Sequence, residues 1–197
     1  MTAPSRASTA STPKGERRRR ALVAAAAGLL AEGGFDAVRH RAVAERAGLP
    51  LASTTYYFAS LDELVAGAVE YRARIELDEC RDALDRADPG GGVDDLVELL
   101  LDALLGPASR TDAEAVLLRY ERFVAAGRRP WLGPLMRSLR VELDALLTDA
   151  MARFGRRVDA DELARLVAVV DGAVISALIE SHPDPRGAAR RMLVPLL

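Results

Sequence analysis

Residues 38–64, VRHRAVAERAGLPLASTTYYFASLDEL, constrain the fold more than any other stretch of the chain. The pattern is two short helices parted by a turn, running into a third helix near Ser60. Val43 and Ala44 are the apolar positions of the first helix, and Ala47 closes it. Gly48 leaves a helix with positive φ at no steric cost. Pro50 then bars the first helix from continuing. The second helix carries Ser53, Thr54, Thr55, Tyr56 and Tyr57, hydrogen-bonding side chains on a segment too small to be a core. A short hydroxyl-rich helix, set by a tight turn against a helix bearing Arg41, presents side chains to a DNA groove.

Geometry then assigns roles. A recognition helix exposes the side chains near its N-terminus to base edges, which selects Ser53, Thr54, Thr55 and Tyr56. Arg41, early on the preceding helix, suits a bidentate contact with guanine. Phosphate contacts are expected from Arg39, His40 and Tyr57, joined by arginines of the first helix. Tyr56 and Tyr57 point about 100° apart on a helix, so both cannot face the same way.

The rest of the chain reads as helix after helix, with no convincing strand and no internal repeat. The first helix is expected from Gly15 to Glu32, stopped by Gly33-Gly34. A long helix from Leu61 to Asp88 carries Leu64, Val65, Ala68, Tyr71, Ile75 and Leu84 at helical spacing and ends at Pro89-Gly90-Gly91-Gly92. Asp94-Asp95 open the next, which ends at Gly106-Pro107. Thr111 is the expected N-cap of another, with Glu114 completing a capping box. Pro134 to Phe154 and Asp159 to Ser181 are two further long helices, and a short one closes residues 186–194. The fold class expected is all-α: an arm disordered over residues 1–13, a three-helix DNA-binding domain over 14–60, and a helical body over 61–197.

Charge follows the same division. The net charge is −2 over 197 residues, yet residues 1–58 hold nine Lys or Arg against four acids, and the remainder holds eighteen against twenty-five. Nonspecific affinity for DNA comes from neutralising phosphates, so the basic end is the one expected to meet DNA. No apolar run approaches the roughly 18 residues of a membrane span. Arg17–Arg20 followed by alanines has the outline of a signal peptide, but Leu22, Leu29 and Leu30 suit one face of a soluble helix. The single Cys80 excludes an internal disulfide framework and fits a reducing cytoplasm.

The order of residues from about 17 to 70 resembles the DNA-binding end of the TetR family of bacterial transcription regulators. Gly34-Phe35 precedes the motif, Val43-Ala44 stands for the family's Ile-Ala, and Ala47-Gly48-Leu49 for its Ala-Gly-Val. Phe58 ends the recognition helix, and Ser60 with Asp62-Glu63-Leu64 opens the next. Arg39 stands where the family often has a capping Thr, Thr55 where it has Tyr, Tyr57 where it has His, and Leu61 where it has Lys. The resemblance implies a base-reading role for Arg41 and for Ser53. It also implies a second region that holds a small-molecule pocket and a dimer surface. The candidate pocket walls here are Leu100, Leu104, Tyr120, Phe123 and Trp131, and a small apolar effector fits them best.

In the family the last two long helices pair with their copies as a four-helix bundle. The second of these carries an apolar stripe, and Leu163, Leu166, Val167, Val170, Gly172 and Val174 are its candidate dimer residues. The alternative is that the stripe faces this chain's own core. The function implied is a sequence-specific DNA-binding regulator, a repressor acting as a homodimer on double-stranded operator DNA and released by a small molecule in the cytoplasm. No catalytic residue, metal site, cofactor or membrane partner is expected. There is no Gly-rich phosphate loop, no Cys-His cluster with metal spacing, and no Ser motif on a strand-turn-helix. The rival readings are a helical protein-interaction module and a nonspecific nucleic-acid packager; the basic end argues against the first, and the acidic body against the second.

Overall fold

The computed structural model describes residues 12–197. The arm expected over residues 1–13 lies outside the described residues, apart from Thr12 and Pro13. Those two begin the fold: the Thr12 hydroxyl accepts from Gly15 N–H at 3.2 Å and Pro13 occupies the first turn, where a missing N–H costs nothing. Helix α1 is Pro13–Ala37, two residues earlier at its start than the periodicity suggested. The expected stop at Gly33-Gly34 is present as a kink. Gly34 has φ +65°, and a short further turn reaches Ala37.

The remaining helices are α2 His40–Arg46, α3 Leu51–Tyr57, α4 Leu61–Arg86, α5 Gly92–Leu105, α6 Ala113–Gly127, α7 Gly133–Arg153, α8 Ala160–Ile179 and α9 Pro185–Leu193. Short 3₁₀ turns lie at Pro89–Gly91, Pro107–Arg110, Pro130–Leu132 and Val194–Leu196. Among the described residues there is no strand, and the fold is all-α. The caps explain most boundaries. Asp159 and Glu162 form a reciprocal capping box at the start of α8, and Asp184 caps α9 through Gly187 N–H. One cap differs from expectation. Asp112, not Thr111, caps α6, its carboxylate accepting from Glu114 and Ala115 N–H at 3.0 and 3.2 Å. The ionised oxygen is the stronger acceptor at a positive helix end.

The chain divides into two compact units, Met1–Tyr71 and Arg72–Leu197, the division falling within α4. The first unit packs Leu22, Ala26 and Leu30 of α1 with Val38, Val43, Phe58 and Leu64. The second is built on α5, whose Leu96, Val97, Leu100, Leu101, Leu104 and Leu105 are all buried. Around it lie Tyr120 of α6, Leu147 and Met151 of α7, Val167, Val170 and Val174 of α8, and Ala189 and Leu193 of α9.

Candidate nucleic-acid interface

The turn between α2 and α3 is fixed by backbone bonds alone. Gly48 sits at φ +63°, Gly48 N–H donates to Glu45 C=O at 3.1 Å, and Leu49 N–H donates to Ala44 C=O at 3.0 Å. This is the Schellman closure of a helix, and it demands the left-handed residue that glycine supplies. Pro50 then opens α3 without a side-chain cap. The end of α3 is set by Phe58, whose ring is buried under the Arg19 guanidinium, 5.0 Å from the ring centroid. Ser60 and Glu63 close the entry to α4: the Ser60 hydroxyl accepts from Glu63 N–H, and the Glu63 carboxylate accepts from Ala59 N–H.

This frame sorts the candidate readers. Arg41, Thr55 and Tyr56 are exposed, Tyr56 to 80 %, and Ser53 is half-buried. Thr54 is different. It is fully buried, and its hydroxyl donates to Leu51 C=O at 2.8 Å. The expectation that Thr54 reads bases is therefore corrected: on this short helix it is the inward residue, with its polar group satisfied internally. Tyr57 packs partly against the first unit's core and meets the Tyr56 ring edge-on at 4.9 Å. Arg39 is exposed and donates from Nε to Asp36 C=O at 3.1 Å. His40 is half-buried, and its Nδ1 is buried with no hydrogen-bond partner. Arg17, Arg18, Arg19 and Arg20 are all exposed along α1.

A clamp not foreseen in the sequence holds α2 to α1. The Arg46 guanidinium donates from Nη1 to Glu32 Oε2 at 2.6 Å and from Nη2 to Glu32 Oε1. The hydrogen bond from Arg46 holds the Glu32 carboxyl below its ordinary range. Gly28 makes room: a Cβ there would lie 3.1 Å from Arg46 Cζ. Arg46 thus belongs to the frame, while Arg39 and Arg41 face outward from the same turn.

A helix pair joined by a Schellman turn, presenting Arg41, Thr55 and Tyr56 from a basic first unit, is a DNA-reading module. A model described as bacterial regulatory proteins, tetR family, matches residues 22–68. A second, described as tetracyclin repressor-like, C-terminal domain, matches residues 91–197, more than half the chain. The chain belongs to the TetR family. It is a DNA-binding transcription regulator by fold, with the DNA-binding domain followed by a helical C-terminal domain. The multidrug binding protein EbrR in complex with imidazole superposes with a TM-score of 0.68 at 31 % identity, covering 100 % of this chain and 97 % of that one. EbrR in complex with ethidium gives 0.66 at 33 % identity over 91 % and 98 %. A TetR-family member from Streptomyces coelicolor A3 gives 0.60 at 29 % identity over 91 % and 98 %. A search of curated proteins finds no match.

The body of this TetR-family regulator places the other candidates. Leu100, Leu104 and Tyr120 lie in the core of the second unit, and the Tyr120 hydroxyl donates to Asp171 Oδ1 at 2.7 Å. Phe123 and Trp131 are exposed. Five of the six candidate dimer residues are corrected. Leu163, Leu166, Val167, Val170 and Val174 face the core of their own chain, because the most hydrophobic stripe of α8 is the one its own helices bury. Gly172 alone is exposed, on a face shared with Ala164, Ala168, Ile175 and Ile179. Among the described residues, no group of His, Cys, Asp and Glu is placed to hold a metal ion, and no helix is long and apolar enough to cross a membrane.

Proposed function

We propose that this regulator is a homodimeric repressor that reads a two-fold operator with Arg41, Ser53, Thr55 and Tyr56 of each copy. The observation that carries the reading is the sorting of side chains around Gly48: Arg41, Thr55 and Tyr56 are exposed while Thr54 is sealed inside. Arg39, His40 and Tyr57 would meet phosphates. Residues 14–60 form the DNA-binding domain in this reading and 61–197 the regulatory one, working in the cytoplasm.

One short helix covers few bases, so specificity requires a second copy. The surface proposed for that copy is the outer face of α8, Ala164, Ala168, Gly172, Ile175 and Ile179, together with Val141 and Ala145 of α7. Its small residues let a partner helix approach closely, and Ile179 and Val141 are exposed to 77 and 69 % in the single chain. Release by a small molecule is supported by similarity to EbrR, which is described in complex with ethidium, proflavin and malachite green. A ligand acts only through a difference in affinity between the DNA-competent state and another state.

Footprinting of the DNA around the protein's own gene supplies the operator. On that operator Arg41→Ala should lose about 1–3 kcal/mol and relax the preference at one base pair per half-site. Unchanged affinity and unchanged sequence preference in a gel-shift titration would remove Arg41 from the reading surface.

A further inference from the structure

Three arginines flank α2, and the fold treats each differently. Among the described residues Arg41 makes no hydrogen bond or ion pair and stands exposed. Arg39 donates from Nε to Asp36 C=O at 3.1 Å. Arg46 places both arms of its guanidinium on one carboxylate, Nη1 on Glu32 Oε2 at 2.6 Å and Nη2 on Glu32 Oε1. The guanidinium also lies against the α1 backbone at Gly28, one turn before Glu32. A Cβ built there would stand 3.1 Å from Arg46 Cζ and 3.2 Å from both Nε and Nη2. The carbon is nearer than its nitrogens, so the Cβ would meet the face of the planar group. An interior glycine weakens a helix relative to alanine, and in the run ALVAAAAGLLA of residues 21–31 it falls where the guanidinium needs the space.

Glu32 and Arg46 are both exposed, and an exposed ion pair adds little to stability. What a bidentate pair does fix is direction, because the guanidinium fork is planar. Helix α2 depends on such a contact. It has seven residues, buries Val43 and Ala44, and begins without a side-chain cap. Two small side chains set how deep the helix lies and do little to stop it turning about its axis. Arg41 and Arg46 stand about 140° apart around the helix, on opposite edges of the face that carries Val43 and Ala44. A rotation of α2 that draws Arg46 off Glu32 swings Arg41 through the same angle.

We propose that Glu32 and Arg46 are positioning residues for operator recognition: their pair fixes the rotation of α2 and, through it, the guanidinium of Arg41. It rests on the reading of Arg41 as a base contact, and it gives Glu32 an effect opposite to that of its charge. A carboxylate on a DNA-binding domain repels phosphates, so by charge alone its removal tightens every DNA complex. As a positioning residue Glu32 favours the operator, and its removal weakens that complex.

The test is titration of the full chain against its footprinted operator and against a scrambled duplex of equal length, each at several salt concentrations. The proteins are the wild type, Glu32→Ala, Arg46→Ala, Arg41→Ala and the double variant Glu32→Ala with Arg41→Ala. Glu32→Ala should weaken operator binding about tenfold, the order of one base contact, while its affinity for the scrambled duplex holds or rises. Arg46→Ala should lose operator affinity to a similar degree at unchanged salt slope, since Arg46 neutralises no phosphate. In the Arg41→Ala background, Glu32→Ala should cost little more, because a group that acts through another has nothing left to position. Urea midpoints of all variants should match the wild type. Operator binding that tightens in Glu32→Ala overturns the proposal, and so does a loss that adds in full to that of Arg41→Ala. A salt slope lowered by about one per half-site in Arg46→Ala makes Arg46 a phosphate contact and overturns it too. Lowered urea midpoints with equal losses on both duplexes reduce the pair to a contact that only supports the fold. An Arg41→Ala chain that binds its operator as the wild type does removes the base-reading role, and the proposal with it.

Discussion

Arg186→Ala should destabilise the helical body by about 3 kcal/mol, read as a lower urea midpoint at unchanged slope. Arg186 is buried at the start of α9 and gathers several acceptors. Its Nη1 donates to Ser109 Oγ at 2.6 Å and lies 2.9 Å from Asp102 Oδ1, and its Nη2 donates to Glu98 Oε2 at 2.7 Å. Glu98 and Asp102 stand four residues apart on α5, with Asp94 one turn before them. Arg190, four residues after Arg186, pairs with Asp94 at 2.5 Å. The ladder docks α9 along α5. Removing Arg186 leaves acceptors facing a gap, and a broken buried pair costs about 3–5 kcal/mol. The lower end applies because Glu98 and Asp102 keep contact with water and with Arg110, which lies 2.7 Å from Asp102.

The same ladder sets a pH dependence. Burial raises the Glu98 pKa, but the Arg186 hydrogen bond and the charges of Arg186, Arg110 and Arg190 hold it below its ordinary value. A carboxyl with a depressed folded pKa stabilises the fold above its unfolded pKa, and that contribution is lost as pH falls through the folded value. Acid should therefore cost the wild type stability that Arg186→Ala has already lost in part. The urea midpoints of the two should converge as pH drops below the ordinary carboxylate range. Midpoints that stay parallel would mean that Arg186 acts by packing alone.

How far the sequence discloses this molecule depends on the range of the interaction. The α2–α3 turn is legible because Gly48 and Pro50 act on their own backbone. The caps are legible for the same reason, and the one miss, Thr111 for Asp112, is a choice between neighbours with competent oxygens. The inward turn of Thr54 is not legible, because a seven-residue helix shows too little periodicity to separate its inward side from its outward one. Glu32 and Arg46 lie on different helices, and nothing local announces their pairing except a glycine, Gly28, within an alanine-rich helix. The ladder left a trace that spacing alone could have raised: acids at 94, 98 and 102, arginines at 186 and 190. The stripe of α8 misled for a physical reason. A helix with two apolar faces shows its stronger periodicity on the face its own chain buries, and the surface open to a partner is marked by smaller residues.

That distinction separates two substitutions only two positions apart on α8. Val174 is fully buried in the second unit. Val174→Asp puts a carboxylate among apolar side chains with no counter-charge, and the cost should reach at least about 4 kcal/mol, a large share of a domain's stability. The helical signal and the urea midpoint should both collapse. Gly172 is exposed, and a Cβ built on it meets nothing within 4 Å, so Gly172→Trp leaves the single chain free to fold. A non-glycine residue at a helix interior even favours the helix by roughly 0.5–1 kcal/mol. Against a second copy the indole would stand where two helices need close approach. Gly172→Trp should therefore keep its circular dichroism and urea midpoint at low concentration, sediment as a monomer at micromolar concentration, and lose operator affinity with the dimer. A variant that still sediments as a dimer and still binds its operator would move the interface off this face of α8. A Val174→Asp chain that folds normally and only dissociates would return the partner to the stripe that the structure gives to the core.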